Sequence, residues 1–264
     1  MLIHPDAYID PDAQLGHDVT VGPGAVIESE VIVGDGCCIA PNAVIRSGTT
    51  LGSRCRVFPG AVIGDEPQDL AYGGAPSRVE IGAETVLREG VTVHRGTQPE
   101  TVTRIGDRCY LMANSHVGHN SVLGIEVVLA NNVLLGGYVT VGDRAFLSGN
   151  CVVHQFCTIG RLALMSGLSG LSKDLPPFCI LQNLASNQVA ALNTVGLRRA
   201  GFSPDERRDL KRAFRMLYLE RLNVKQAIVA MQEAFPSGVA AELWQFAAAS
   251  KRGICDAKPT VRDE

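Results

Sequence analysis

From Ile105 to Leu171 an aliphatic residue or Met stands at every sixth position without a break: Ile105, Leu111, Val117, Leu123, Leu129, Leu135, Val141, Leu147, Val153, Ile159, Met165 and Leu171. The same phase runs from Ile3 through Ile9, Leu15, Val21, Ile27, Val33, Ile39, Ile45, Leu51 and Val57 to Ile63, and it resumes at Ile81, Leu87 and Val93. Four residues after most of these sits a small or β-branched side chain, as at Ala7, Ala25, Cys37, Ala43, Cys55, Cys109, Ser115, Ser121, Cys151 and Cys157. No helix has a period of six, and a sandwich strand alternates every two residues and then turns back. A solenoid of short parallel strands accounts for a register held this long. Both phased columns are expected to point inward, starting at Ile3.

This pattern resembles the hexapeptide-repeat acyltransferases. That resemblance implies a mainly β fold, a left-handed parallel β-helix with three hexapeptides per coil, in a protein that is usually a homotrimer. The twenty-six phased positions then make nearly nine coils, a prism about 40 Å long at ~4.8 Å per layer. The cysteines carry no CxxC pair, and five of the eight fall in the small inward column, so they read as buried apolar groups. A net charge of −3, with no basic run beside aromatic residues, gives nucleic-acid binding no support. Without a leader-like N-terminus or an apolar run long enough to span a bilayer, the expected location is cytoplasmic, with no membrane span.

The register is interrupted twice. GDEPQDLAYGGAPSRVE, near residues 64–80, has no aliphatic in phase, and the segment near 94–104 places Pro99 at a phased position. Both read as excursion loops, where binding residues concentrate on a rigid scaffold, so Gln68 and Asp69 are candidates. His94 and Arg95 stand at the root of the second. With eighteen residues per coil, His119, Gly137 and Gln155 stack in one column, with His116 and His154 beside it. On another face Asn131, Gly149 and Gly167 stack into an open groove suited to a chain-like ligand.

Beyond Leu171 the phase is lost and helix signals take over. The expected division is a β-helix over 1–185 and a helical domain over 186–264. Ser203, Pro204 and Glu206 predict an N-cap with a first-turn proline and a capping partner. Asn223 and Gln226 begin a second helix, ended by Pro236, and a third is expected over Val239 to Ala249. Arg208, Lys211, Arg212 and Arg215 share one helical face, which is a solvated surface or a docking stripe for an acidic partner.

Four stretches carry a narrower resemblance: QDLAYGGAPSRVEIG at 68–82, VTVHRGT at 91–97, NSHVGHNSVLG at 114–124 and VVHQFCTIG at 152–160. With LNTVGLRRAGF at 192–202 they resemble the UDP-N-acetylglucosamine O-acyltransferases of lipid A biosynthesis over nearly the whole chain. The resemblance implies transfer of a 3-hydroxyacyl group from acyl carrier protein to the 3-hydroxyl of UDP-N-acetylglucosamine, with no cofactor. His119 matches the general base, Gly137 the oxyanion donor, and Asn120 the residue that orients the base. Asp69, His116, His154 and Gln155 match sugar and nucleotide contacts, and Gln68 and His94 are counted with them as substrate-binding candidates from their places at the two loops. Asn193 and Arg199 match the residues at the nucleotide end, with Arg198 beside them as a candidate, and Gly167 matches a position that limits acyl length, with Gly149 stacked next to it in the groove.

The chain departs from that pattern at Asn120, where the family has Asp, and at Ala71, Tyr138 and Ala200. The segment QNLASNQVAALN at 182–193 departs as well. An Asn carbonyl can orient an imidazole but cannot neutralise the imidazolium. These departures keep two alternatives open: N-acyl transfer to a UDP-amino sugar, and a non-catalytic paralogue that binds acyl carrier protein or nucleotide sugar. A zinc lyase on the same scaffold would need three converging ligands, and the HxxH spacing does not resemble that ligand set, so no metal is expected.

Overall fold

The computed structural model describes residues 1–182 and 187–257. Strands of mostly two residues each pair in parallel with the strand one coil further on, as Leu111 with Leu129, Leu129 with Leu147 and Leu147 with Met165. They form sheets of twelve, nine and eight strands among the described residues, and successive strands of the chain move from one sheet to the next. The result is a triangular prism filled by the two phased columns. Ile27, Ile45, Ile63, Leu87, Leu111, Leu129, Leu135 and Leu147 are all fully buried.

A corner must turn the chain without a clash between its Cβ and the next carbonyl, and here one residue per hexapeptide takes a left-handed conformation. Asn114, Asn120, Glu126, Asn132, Tyr138, Arg144, Asn150, Phe156, Leu162 and Leu168 all have φ between 53° and 65°. Asn tolerates this region, whereas Tyr, Phe and Leu adopt it at a cost of roughly 1–2 kcal/mol each. The corner chemistry is therefore fixed residue by residue, and the aliphatic period alone does not reveal it.

Four expectations need correction. Ile3 is 40% exposed and does not enter the core, because the first coil has a neighbour on one side only. The first excursion is narrower than 64–80: strands reach Asp65 and resume at Arg78. The second likewise lies between strands Thr92–His94 and Val102–Ile105. The β-structure also runs past 185. Strand Cys179–Leu181 pairs antiparallel with Gln188–Leu192, which in turn pairs with Asp256–Ala257. The division at 185/186 and the departing residues Asn183 to Ser186 lie outside the described residues.

A short helix, α1 (Thr194–Arg199), goes unannounced in the sequence reading. The longer helices α2 (Pro204–Tyr218) and α3 (Val224–Ala234) start where expected, each with a reciprocal capping box, at Ser203/Glu206 and Asn223/Gln226. Helix α4 is shorter than expected, Ala241–Ala249. Arg161 on the prism ties this end down through two bonds to Glu242, 2.6 and 2.7 Å. All five phased cysteines are buried, as are Cys179 and Cys255, and Cys38 is exposed. Among the described residues no helix is long and apolar enough to cross a membrane.

Candidate active site

One corner of the nine-stranded sheet gathers the expected residues. The pairing of His116 with Leu134 and of Leu134 with Val152 puts His119, Gly137 and Gln155 in consecutive layers. The bonds Tyr138 N–H to His119 O (2.8 Å) and Phe156 N–H to Gly137 O (3.0 Å) hold those layers together. A cavity of about 440 Å³ opens here, lined among others by Gln68, His94, His116, His119, Gly137 and Gln155. His154 lines it as well.

Gly137 is required by close approach. A Cβ there would lie 2.3 Å from His119 Cε1 and 2.4 Å from Nε2, so the imidazole rests on the glycine backbone. Among the described residues no backbone carbonyl takes the Gly137 N–H, which leaves a donor free beside the ring.

His119 Nδ1 lies 3.0 Å from Asn120 Oδ1, and Nε2 faces the cavity with Asp69 Oδ2 4.0 Å away. Asp69 is braced for this. Its Oδ1 accepts the Ala71 N–H at 2.9 Å and its carbonyl accepts the Tyr72 N–H, which turns the loop and leaves Oδ2 toward His119. The Tyr138 ring packs perpendicular to His119 with centroids 5.3 Å apart, and Phe156 stacks on Tyr138 at 4.9 Å.

Behind His119 lie two further imidazoles. His116 Nδ1 is 2.8 Å from the Thr92 hydroxyl. Burial pushes its pKa down to about 4, and the neighbouring His94 and His119 add to the shift. His94 packs nearly perpendicular to His116 at 4.8 Å and is 6% exposed, and its Nδ1 has no partner among the described residues. Burial lowers its pKa as well, against the pull of Asp65. Both rings are therefore neutral near pH 7. Among the described residues no group of three His, Cys, Asp or Glu side chains is placed to hold a metal ion.

Other expected residues lie elsewhere in the single chain. Asn131, Gly149 and Gly167 stand at the corner on the opposite side of the same sheet, each two residues past an inward aliphatic of the twelve-stranded sheet. A Cβ at Gly149 or Gly167 would meet nothing closer than 3.5 Å, so that corner is an open groove. Asn193 is buried as the N-cap of α1: its Oδ1 accepts the Gly196 N–H and its Nδ2 donates to Leu162 O, both at 2.9 Å. It holds the helix that carries the exposed Arg198 and Arg199. None of these lines the His119 cavity.

One residue, Thr97, and its link to Tyr138 escaped the sequence reading. Thr97 donates its N–H and its hydroxyl to Asn120 Oδ1, at 3.1 and 3.0 Å, and its Oγ1 lies 2.9 Å from the Tyr138 hydroxyl. Thr97 stands in HisArgGlyThr, and Tyr138 is one of the departures, but only the loop's fold joins them.

A family model described as UDP N-acetylglucosamine O-acyltransferase, domain 2, matches residues 174–255, and one described as bacterial transferase hexapeptide matches 30–65. An acyl-carrier-protein–UDP-N-acetylglucosamine O-acyltransferase of Alkalilimnicola ehrlichii is 51% identical over 96% of this chain and 98% of its own length. A Synechocystis protein of the same name is 46% identical over 63% of this chain, a match that spans 60% of that protein. The crystal structure of the Francisella novicida UDP-N-acetylglucosamine acyltransferase superposes with a TM-score of 0.94 at 33% identity, over 98% of this chain and 95% of that one. The prism is thus a left-handed parallel β-helix. With a full-length relative at that identity, a matching C-terminal domain and a shared fold, the chain belongs to the UDP-N-acetylglucosamine O-acyltransferase family.

Proposed function

We infer that the His119 corner transfers a 3-hydroxyacyl group from acyl carrier protein to the 3-hydroxyl of UDP-N-acetylglucosamine, the opening step of lipid A synthesis. The observation that carries the reading is the His119–Gly137 pair, in which a ring with Nε2 open to the cavity rests on a backbone whose N–H is unspent. The sugar hydroxyl sits at Nε2 and attacks the thioester carbonyl while its proton passes to the ring. The developing oxyanion takes the Gly137 N–H. Collapse of the tetrahedral intermediate breaks the C–S bond, and the imidazolium returns the proton to the departing thiolate. With Asn at 120, the anion that faces the imidazolium is Asp69.

Gln68, Asp69, His116, His154 and Gln155 hold the acceptor, and His94 supports His116. Arg198 and Arg199 suit the nucleotide phosphates as guanidinium forks, on the helix that Asn193 caps. Gly149 and Gly167 leave room for the acyl chain. In one chain these two sets stand at different corners, so a single ligand reaches both only when a second subunit brings its own corner alongside. That is the case for a homotrimer, which a sedimentation measurement checks. The reaction itself is tested by incubating the protein with a panel of 3-hydroxyacyl carrier proteins and UDP-N-acetylglucosamine. One donor length is expected to dominate, and no transfer from any donor would refute the reading.

A further inference from the structure

A neutral His119 carries one ring proton, and two acceptors compete for it. Asn120 Oδ1 lies 3.0 Å from Nδ1, and Asp69 Oδ2 lies 4.0 Å from Nε2. A carboxylate on the Nε2 side draws the proton there. A ring protonated at Nε2 presents N–H to the cavity and has no lone pair to offer a substrate hydroxyl.

Asn is an ambiguous guard against this, because an amide can face its neighbour with either its oxygen or its NH2. The oxygen accepts from Nδ1–H and leaves Nε2 bare. The NH2 would donate to Nδ1 and send the proton to Nε2. Asn can stand in for a carboxylate only where something fixes which end faces the ring.

Thr97 supplies that constraint. Two donors of this one residue, its N–H at 3.1 Å and its hydroxyl at 3.0 Å, converge on Asn120 Oδ1. A flipped amide would set its NH2 against the Thr97 N–H, which can only donate, and would force the hydroxyl to reverse, accepting from the NH2 and donating to Tyr138. Since the Thr97 hydroxyl gives its proton to Asn120, the Tyr138 hydroxyl, 2.9 Å away, donates to Thr97 Oγ1. The Asn120 backbone is held too, by its N–H to the Thr103 hydroxyl at 2.7 Å.

We propose that Thr97 is a positioning residue that locks the Asn120 amide and thereby keeps His119 in the Nδ1–H tautomer, with Tyr138 completing the lock. The second excursion loop is then part of the proton-transfer apparatus, reaching it through Asn120. The other titratable groups facing the ring are His116 and His94, both neutral, with Asp65 behind His94, and the Tyr138 ring. None of these offers the ring an acceptor at Nδ1. The kinetic consequence rests on reading His119 as the base, whereas the tautomer is a property of the resting protein.

The test is a long-range 15N–1H imidazole correlation spectrum of the full chain, at a pH where imidazoles are neutral. His119 is assigned by its loss in His119→Ala. The wild type is expected to show Nδ1–H. Asn120→Ala should move the ring toward the Nε2–H form. Thr97→Val should give a mixture of tautomers together with a fall of about tenfold in kcat at unchanged KM. Thr97→Ser, which restores the hydroxyl, should recover both. A wild-type ring protonated at Nε2, or a Thr97→Val ring indistinguishable from wild type, would overturn the proposal. If the tautomers behave as expected and no acyl donor is turned over, the lock stands and the acyl-transfer reading fails.

Discussion

The corner that carries His119 recurs in every coil, and the N-terminal coils use it differently. Two residues past the inward aliphatics Ile27 and Ile45 stand Ser29 and Ser47, whose hydroxyls lie 3.1 Å apart and bond to each other. At the same place in later coils stand His119, Gly137 and Gln155. These residues do not bond side chain to side chain, and the first rests on the bare backbone of the second. The serine ladder spends its hydrogen-bonding capacity on the fold, and the histidine corner leaves Nε2 and the Gly137 N–H unspent. One scaffold position thus becomes a strut or a site according to whether its polar groups are satisfied.

Close approach at Gly137 is where the histidine corner is most easily broken. Gly137→Ala drives a methyl group into the His119 ring and is expected to lower turnover on the order of 10²-fold while the fold persists, as steady-state kinetics beside a melting curve would show. An unchanged kcat would mean that the contact has no part in catalysis.

A smaller effect separates charge from contact at Asp69. If Asp69 answers the imidazolium in place of a carboxylate at 120, Asp69→Asn lowers kcat about tenfold in the wild type and by less than about threefold in Asn120→Asp. Equal losses in both backgrounds would confine Asp69 to holding the sugar.

Acid should weaken the histidine wall and leave the serine ladder unaffected. His116 is held near about 4 when folded and returns to about 6.5 when unfolded, so between those values only the unfolded chain binds the proton. Stability therefore falls as pH falls through that window, by on the order of 3 kcal/mol. Urea midpoints at about pH 7 and about pH 5 should differ less in His116→Gln than in the wild type. The smallest effect is expected on the other side of the comparison: Ser47→Ala should cost about 1 kcal/mol, independent of pH, and leave kcat untouched.

The period of six made the prism legible because an inward aliphatic has one place to go. It also located the His119 column, since stacking follows from counting. What it could not give was anything set by a corner or a loop. The left-handed residues Tyr138 and Phe156 break no pattern in the aliphatic count, yet they set the wall beside His119. Helix α1 is too short for a periodic signal, and the capping role of Asn193, whose amide bonds at both its oxygen and its NH2, shows only in the fold. Thr97 and Tyr138 are 41 residues apart and meet only because an excursion loop folds back over the corner.

The central claim is that the His119 corner is the base of an acyl transfer. The most direct measurement is single-turnover transfer from the preferred 3-hydroxyacyl carrier protein to UDP-N-acetylglucosamine, comparing wild type with His119→Gln. Loss of 10²–10⁴-fold in the chemical step, with sugar nucleotide binding retained, is the predicted result. Transfer at the wild-type rate by His119→Gln would contradict the account.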